Sequence, residues 1–288
     1  MTVQTTPSAT ERAGARADPT AEMPPRWRWP KWTSLLIGLL LLGLAVNGIR
    51  RLDISGSRIA QGPENIWGFI TGAFPPNIER FPNLAEAMLE TLEIAIIGTG
   101  IGVILSIPAA LLAAQNTTPF PALGFTVRFV LTVLRSVPDL VWALIFVMAV
   151  GLGPLAGILA IAVDVLGFAG RFFAERIEEV ERGPIDALRS TGASGVAVVV
   201  AAVLPASFAS FTATSLYCVE KSIRGATILG MVGAGGIGME LTPAFNLRQF
   251  DTAFTIIIMI LVVVFLAEQL SSLVRRKMLG ADQLRRAV

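Results

Sequence analysis

The sequence contains no histidine and a single cysteine, Cys218. A histidine-based metal site or catalytic base is therefore excluded, and no intrachain disulfide can form. No Gly-Lys pair occurs, so the phosphate-cradling loop of a nucleotide hydrolase, which needs Gly-Lys before Ser or Thr, is missing. Charge is scarce as well. Asp, Glu, Lys and Arg make up 15% of the chain against 53% hydrophobic residues, far below the roughly 25% charged residues of a soluble domain. Water is not the main solvent of such a chain.

What fills the sequence instead is long uncharged stretches. Thr33 to Ile49, Ile94 to Val127, Leu140 to Val163, Ser190 to Val219 and Thr252 to Ala267 carry no charge. About 18 such residues suffice to cross the hydrocarbon core as a helix. Six helices are expected, at about 33–50, 84–114, 122–150, 154–174, 200–220 and 252–274, giving an all-α membrane protein. The excess of Lys and Arg marks the cytoplasmic side. It falls on Arg12, Arg16, Arg26, Arg28 and Lys31, on Arg171, Arg176, Arg182 and Arg189, and on Arg275, Arg276, Lys277, Arg285 and Arg286. The opposite side receives Arg50, Arg51, Arg58, Arg80, Lys221, Arg224 and Arg248, with the Arg50-Arg51 pair the one local counter-signal. Both termini of this multi-pass protein are thus expected in the cytoplasm.

Residues 1–32 have no apolar period and read as a disordered cytoplasmic tail. Trp27, Trp29 and Trp32 alternate with Arg26, Arg28 and Lys31 as an interfacial belt at the lipid headgroups, a better reading than nucleic-acid binding. The first apolar run lacks a small-x-small cleavage pattern and reads as a retained anchor. Within 33–83 it is followed by an interfacial stretch whose Ile66, Trp67, Phe69, Ile70 and Phe74 share a helical face. Residues 84–280 form the transmembrane core, with a charged loop at 174–205, and 281–288 a short tail. No internal repeat or second domain is visible, so if two equivalent halves are needed, two chains must supply them.

The loop AERIEEVERGPIDALRSTGASGVAVVVAAVLP, Ala174 to Pro205, is the most charged internal stretch. Gly183 is expected to end one helix and Pro184 to start a short second one. Asp186 complements that helix's N-terminus and Gly192 provides a left-handed cap. Ile185 and Leu188 share a face, and Ala187 keeps the surface low enough to enter a groove. A plug for a cytoplasmic partner and an ordinary capped connection both fit these residues.

Family resemblance favours the plug. Asp186, Ala187 and Leu188, then Gly192, then Ala202, Leu204 and Pro205 resemble the EAA loop of ABC importer permeases. LRSVPDLVWALIF at Leu134 to Phe146 and LYCVEKSIRGATILGMVGAGGIGMEL at Leu216 to Leu241 extend the resemblance to phosphonate ABC transporter permeases. This implies a type I, MetI-like architecture with Gly183 to Leu188, Gly192 and Pro205 forming a coupling helix and its flanks. It also implies a homodimer, two ATP-binding ATPase subunits and an extracytoplasmic substrate-binding protein. No cofactor is then expected in this chain, since ATP and Mg would be bound by the ATPase. The cargo implied is phosphonate, phosphate or phosphite, although methionine permeases share the architecture.

The candidate substrate pathway joins two regions. Gly233, Gly235, Gly236 and Gly238 satisfy GxGxxG, but no βαβ unit surrounds them to make a nucleotide site. Their N–H groups, near Arg224 and Lys221, either ease an anion across or serve close packing between chains. Arg135 and Ser136 beside the Pro138 break, with Asp139, could contact an oxyanion. Asp164 is expected to pair with an arginine, and Glu93 and Glu268 are ambiguous. Two rivals remain: a proton-coupled secondary transporter using Asp164, and a membrane enzyme, disfavoured because no nucleophile-base pair is recognisable.

Overall fold

A computed structural model of the chain describes residues 32–51 and 56–286. Among them are helices and turns but no strand. The chain divides at Asn65/Ile66 into two units. In the first, α1 (Trp32–Arg51) is uncharged up to its last two residues, Arg50 and Arg51, and buries none of its side chains, as a lipid-facing helix does. Of the tryptophan belt only Trp32 lies among the described residues. The helix α2 (Gly56–Gly72) spans the division between the units.

The second unit contains α3 (Phe81–Ala113), α4 (Pro121–Ser136), α5 (Asp139–Val150) and α6 (Pro154–Glu178). After these come α7 (Arg182–Ser190), α8 (Gly195–Val198), α9 (Leu204–Gly230), α10 (Gly238–Asn246) and α11 (Phe250–Arg286). Five helical stretches are long and apolar enough to cross a membrane, and a sixth arises if α4 and α5 count as one bent span. The third expected span is thus broken rather than continuous, with α4 and α5 meeting at 91°. Pro138 lacks an N–H and forces Val137 into extended backbone (φ −86, ψ 123), so the helix must stop and restart.

The fifth and sixth helices also outrun expectation. Gly195 to Gly230 is one span of 36 residues, containing a π-helical turn at Val199–Val203 directly before Pro205. The wider turn absorbs the missing proline N–H without ending the helix. Lys221 and Arg224 therefore lie inside a span, not in the loop after it. Arg286 still belongs to α11, so the described part of the expected tail at 281–288 is helical.

The core is built on α3 and α6, which touch through glycine. A Cβ on Gly98 would lie 2.9 Å from the Ile158 carbonyl, and one on Gly102 2.8 Å from that of Ala162. Lipid tails are as apolar as leucine, so helices in a bilayer associate by packing, and small residues let backbones approach. On the other side of α6, Phe173 stacks on Phe211 of α9 at 4.2 Å and Arg176 donates to Ser210 at 2.8 Å. Thr99 of α3 donates to Ser222 of α9 at 2.8 Å in a buried hydroxyl pair. The last turns of α2 and the stretch after it belong to this unit: Phe69 packs on Phe245 and Phe250, and Asn77 donates to Asp251 at 3.3 Å.

Replacing Gly102 by valine should lower stability by about 2 kcal/mol or more, since backbone as well as side chain would have to move. Gly100→Ala, at a position with open space, should be neutral. Thermal unfolding of the detergent-purified chain measures both.

Candidate functional site

The short helix α7 begins three residues beyond the end of α6, which caps at Glu179. Gly183 therefore does not end the preceding helix; it is the second residue of α7, ahead of Pro184 in the first turn. The C-terminal cap is as expected. Gly192 has φ +83, its N–H donates to the Arg189 carbonyl at 3.0 Å, and the Ala193 N–H donates to that of Leu188 at 3.2 Å. This pair of bonds is a Schellman motif.

The two faces of α7 are opposite to the expectation that Ile185 and Leu188 form an outward apolar surface. Ile185 is 6% exposed and packs, with Leu188 and Ala193, into the chain's own core. Gly183, Pro184, Asp186, Ala187, Arg189 and Ser190 are exposed. The apolar residues of this nine-residue helix anchor it to the body, and the small and charged ones are left exposed. Pro205 lies apart from α7, inside the α9 span.

The glycine segment is likewise a packed element. Gly233, Gly235 and Gly236 have φ of 92, 91 and 76 degrees, and Ala234 through Gly238 are buried. The Gly233 carbonyl accepts from the Gly153 N–H at 2.9 Å, and Thr91 accepts from the Ile237 N–H at 2.8 Å. A Cβ on Gly235 would meet Pro154 at 3.0 Å, and one on Gly238 would collide with the Thr227 carbonyl. The close packing is within one chain, between the starts of α3 and α6 and the end of α9. The nearby cations are not free either. Arg224 pairs with Glu220 at 2.9 Å, and Lys221 with Asp164 at 2.7 Å. Asp164 thus takes a lysine, not the expected arginine.

Arg135 and Ser136 line one recess at the α4–α5 bend, while the Asp139 carboxylate lies toward Gly225 of α9. The Arg135 guanidinium carbon sits 5.6 Å and 5.5 Å from the ring centres of Phe168 and Phe172 on α6, and Lys221 Nζ lies 5.4 Å from the same Phe168 ring. Asp139 accepts from the Leu140 N–H at 2.9 Å, an acid at a helix N-terminus. Arg128 pairs with Glu178. Among the described residues no group of three or more Asp, Glu or Cys is placed to hold a metal ion.

Residues 106–280 match the model of the family described as "Binding-protein-dependent transport system inner membrane component". The chain belongs to this family. The permease is 41% identical over 212 residues to a phosphate-import permease protein of Mycolicibacterium smegmatis, a match covering 73% of this chain and 40% of that longer one. It is 35% identical over 250 residues to a phosphite transport system permease protein of Stutzerimonas stutzeri, covering 87% and 90% of the two chains. Its fold matches an inward-facing methionine ABC transporter structure at a TM-score of 0.62 and 19% identity, over 70% of the permease and 99% of that chain. The architecture is therefore the MetI-like one.

Removing the carboxylate from the permease's internal ion pair should be costly. Asp164→Asn should lower stability by about 2 kcal/mol, because Asp164 is 13% exposed while Lys221 is 35% exposed, between the surface and buried limits. Adding Lys221→Gln should recover part of the loss. Unfolding midpoints of the two single variants and the double variant close the cycle.

Proposed function

We propose that this chain is the membrane subunit of an importer for phosphonate or a related phosphorus oxyanion, phosphate or phosphite, driven by ATP hydrolysed in a separate subunit. The observation that carries the cargo is the identity to the phosphite permease, held across nine-tenths of both chains rather than across the loop alone. A second copy of the chain, two ATPase subunits holding ATP and Mg, and an extracytoplasmic binding protein complete the assembly. The chain itself is a conduit and not an enzyme. Both termini lie in the cytoplasm. The α9 span supports this orientation, because it takes Lys221 and Arg224 out of the outer loop and widens the Lys and Arg asymmetry.

The exposed face of α7, with Gly183, Asp186 and Ala187, would seat in a cleft of the ATPase, while Ile185 and Leu188 tie the helix to the core beside α8 and the π-helical turn that opens the α9 span. Closure of the ATPase on ATP then supplies the differential affinity that moves the permease between its two states. A proton-coupled transporter with Asp164 as relay is less well supported, since Lys221 already holds that carboxylate.

With the ATPase and binding protein in liposomes, uptake of labelled phosphite should require ATP and be competed by phosphonate or phosphate, not by methionine. Uptake driven by a proton gradient without the ATPase would contradict the proposal. Asp186→Lys, on the exposed face, should leave insertion intact and reduce uptake by about tenfold or more.

A further inference from the structure

In the helices that cross the membrane, Arg128, Arg171, Arg176, Lys221, Arg224 and Arg275 each have a carboxylate partner among the described residues. Arg135 has none, although it sits at the break of a span, where an ionisable group is expensive and normally faces a partner or a water-filled cavity. It opens onto a recess of about 330 Å³ lined by Thr132, Arg135, Ser136 and Arg171. Arg171 is half-committed: its Nε donates to Glu175 at 2.7 Å and one terminal nitrogen reaches Thr132 at 3.5 Å. The recess therefore holds two guanidinium groups against one carboxylate, a surplus of one positive charge.

The hydroxyls there do not offer protons to a ligand. Thr132 donates to the Arg128 carbonyl and Ser136 to that of Val133, both at 2.8 Å. The donors that remain are guanidinium N–H groups, which fit a species that only accepts hydrogen bonds, and oxygens in a fork geometry above all. The arginine is also held in place. Phe168 and Phe172 carry its charged end, and its backbone is clamped on α6, where a Cβ on Gly167 would lie 2.8 Å from the Arg135 nitrogen. Asp164 neutralises Lys221, the other cation near Phe168, so Arg135 is the group there with charge to spare.

We propose that Arg135, with the uncommitted N–H groups of Arg171, forms the contact site for the transported oxyanion within the membrane. This rests on the proposed function for its cargo, but not for its charge. The site discriminates by hydrogen-bond polarity and charge and leaves finer selection to the binding protein.

The test places a reporter thiol at the recess. Ser136→Cys is introduced in the assembled transporter in liposomes, where the native Cys218 is buried. A sulfonate-bearing methanethiosulfonate should modify it about tenfold faster than the trimethylammonium reagent, the effect of one unit charge at a few ångströms in a partly wet site. Arg135→Gln should abolish the preference and Arg135→Lys retain it, which guards against a Gln variant that fails to insert. Excess phosphite or methylphosphonate should slow the reaction.

Equal rates, a preference for the cation, or a preference that survives Arg135→Gln would overturn the site. A carboxylate supplied by a second copy would give that overturning result. An anion preference without protection by phosphorus oxyanions would uphold the site and sink the cargo assignment. Loss of the preference with ATP-dependent phosphite uptake intact would sink the site alone.

Discussion

The structure hangs on the close approach of α3 and α6. With Gly98 and Gly102 on one helix facing the backbone of the other, dispersion contacts replace the hydrophobic driving force that a bilayer does not provide. Every other functional element is attached to α6. Its middle carries Asp164, which holds α9 through Lys221. The stretch after that carries Gly167, Phe168 and Phe172, which hold the end of α4 and its arginine. Its end leads within three residues into α7. On the proposed reading, the site that meets the cargo and the helix that meets the ATPase are thus two stations on one rigid element.

The charges follow the same economy. A cation in a span is tolerable when a carboxylate or an aromatic face replaces water, and among the described residues Arg135 is the cation without a carboxylate once the helix-end residues Arg50, Arg51, Arg276 and Lys277 are set aside. Glu220, 12% exposed, serves both Arg224 and, at 3.9 Å, Arg275, and so ties α9 to α11. These pairs stiffen the bundle, and packed helices transmit displacement because they cannot deform continuously. Moving α7, whose Ile185 is seated in the core, must therefore move α8 and the π-helical turn that opens the α9 span with it.

Much of this was legible in the residues. The spans were, because a hydropathy run integrates over some twenty residues and local errors cancel. The Gly192 cap was, because a left-handed residue after a helix nearly demands glycine. Inward and outward faces of α7 were not legible: Ile185 and Leu188 are three apart whichever way they point, and only the body they pack against decides. Nor was the partner of Asp164, since sequence gives no register between α6 and α9 and Lys221 lies just past the most apolar part of its span. The Gly98-x-x-x-Gly102 pattern inside an apolar run is the sequence signal for the α3–α6 contact.

The central claim is that energy enters through the outward face of α7 while its inward face holds the permease together. Single cysteines at Ala187 and at Leu188, each tested for disulfide crosslinking to a cysteine in the ATP-binding subunit's cleft, address it most directly. The account predicts a crosslink from position 187 and none from 188. A crosslink from 188 without one from 187 would contradict it.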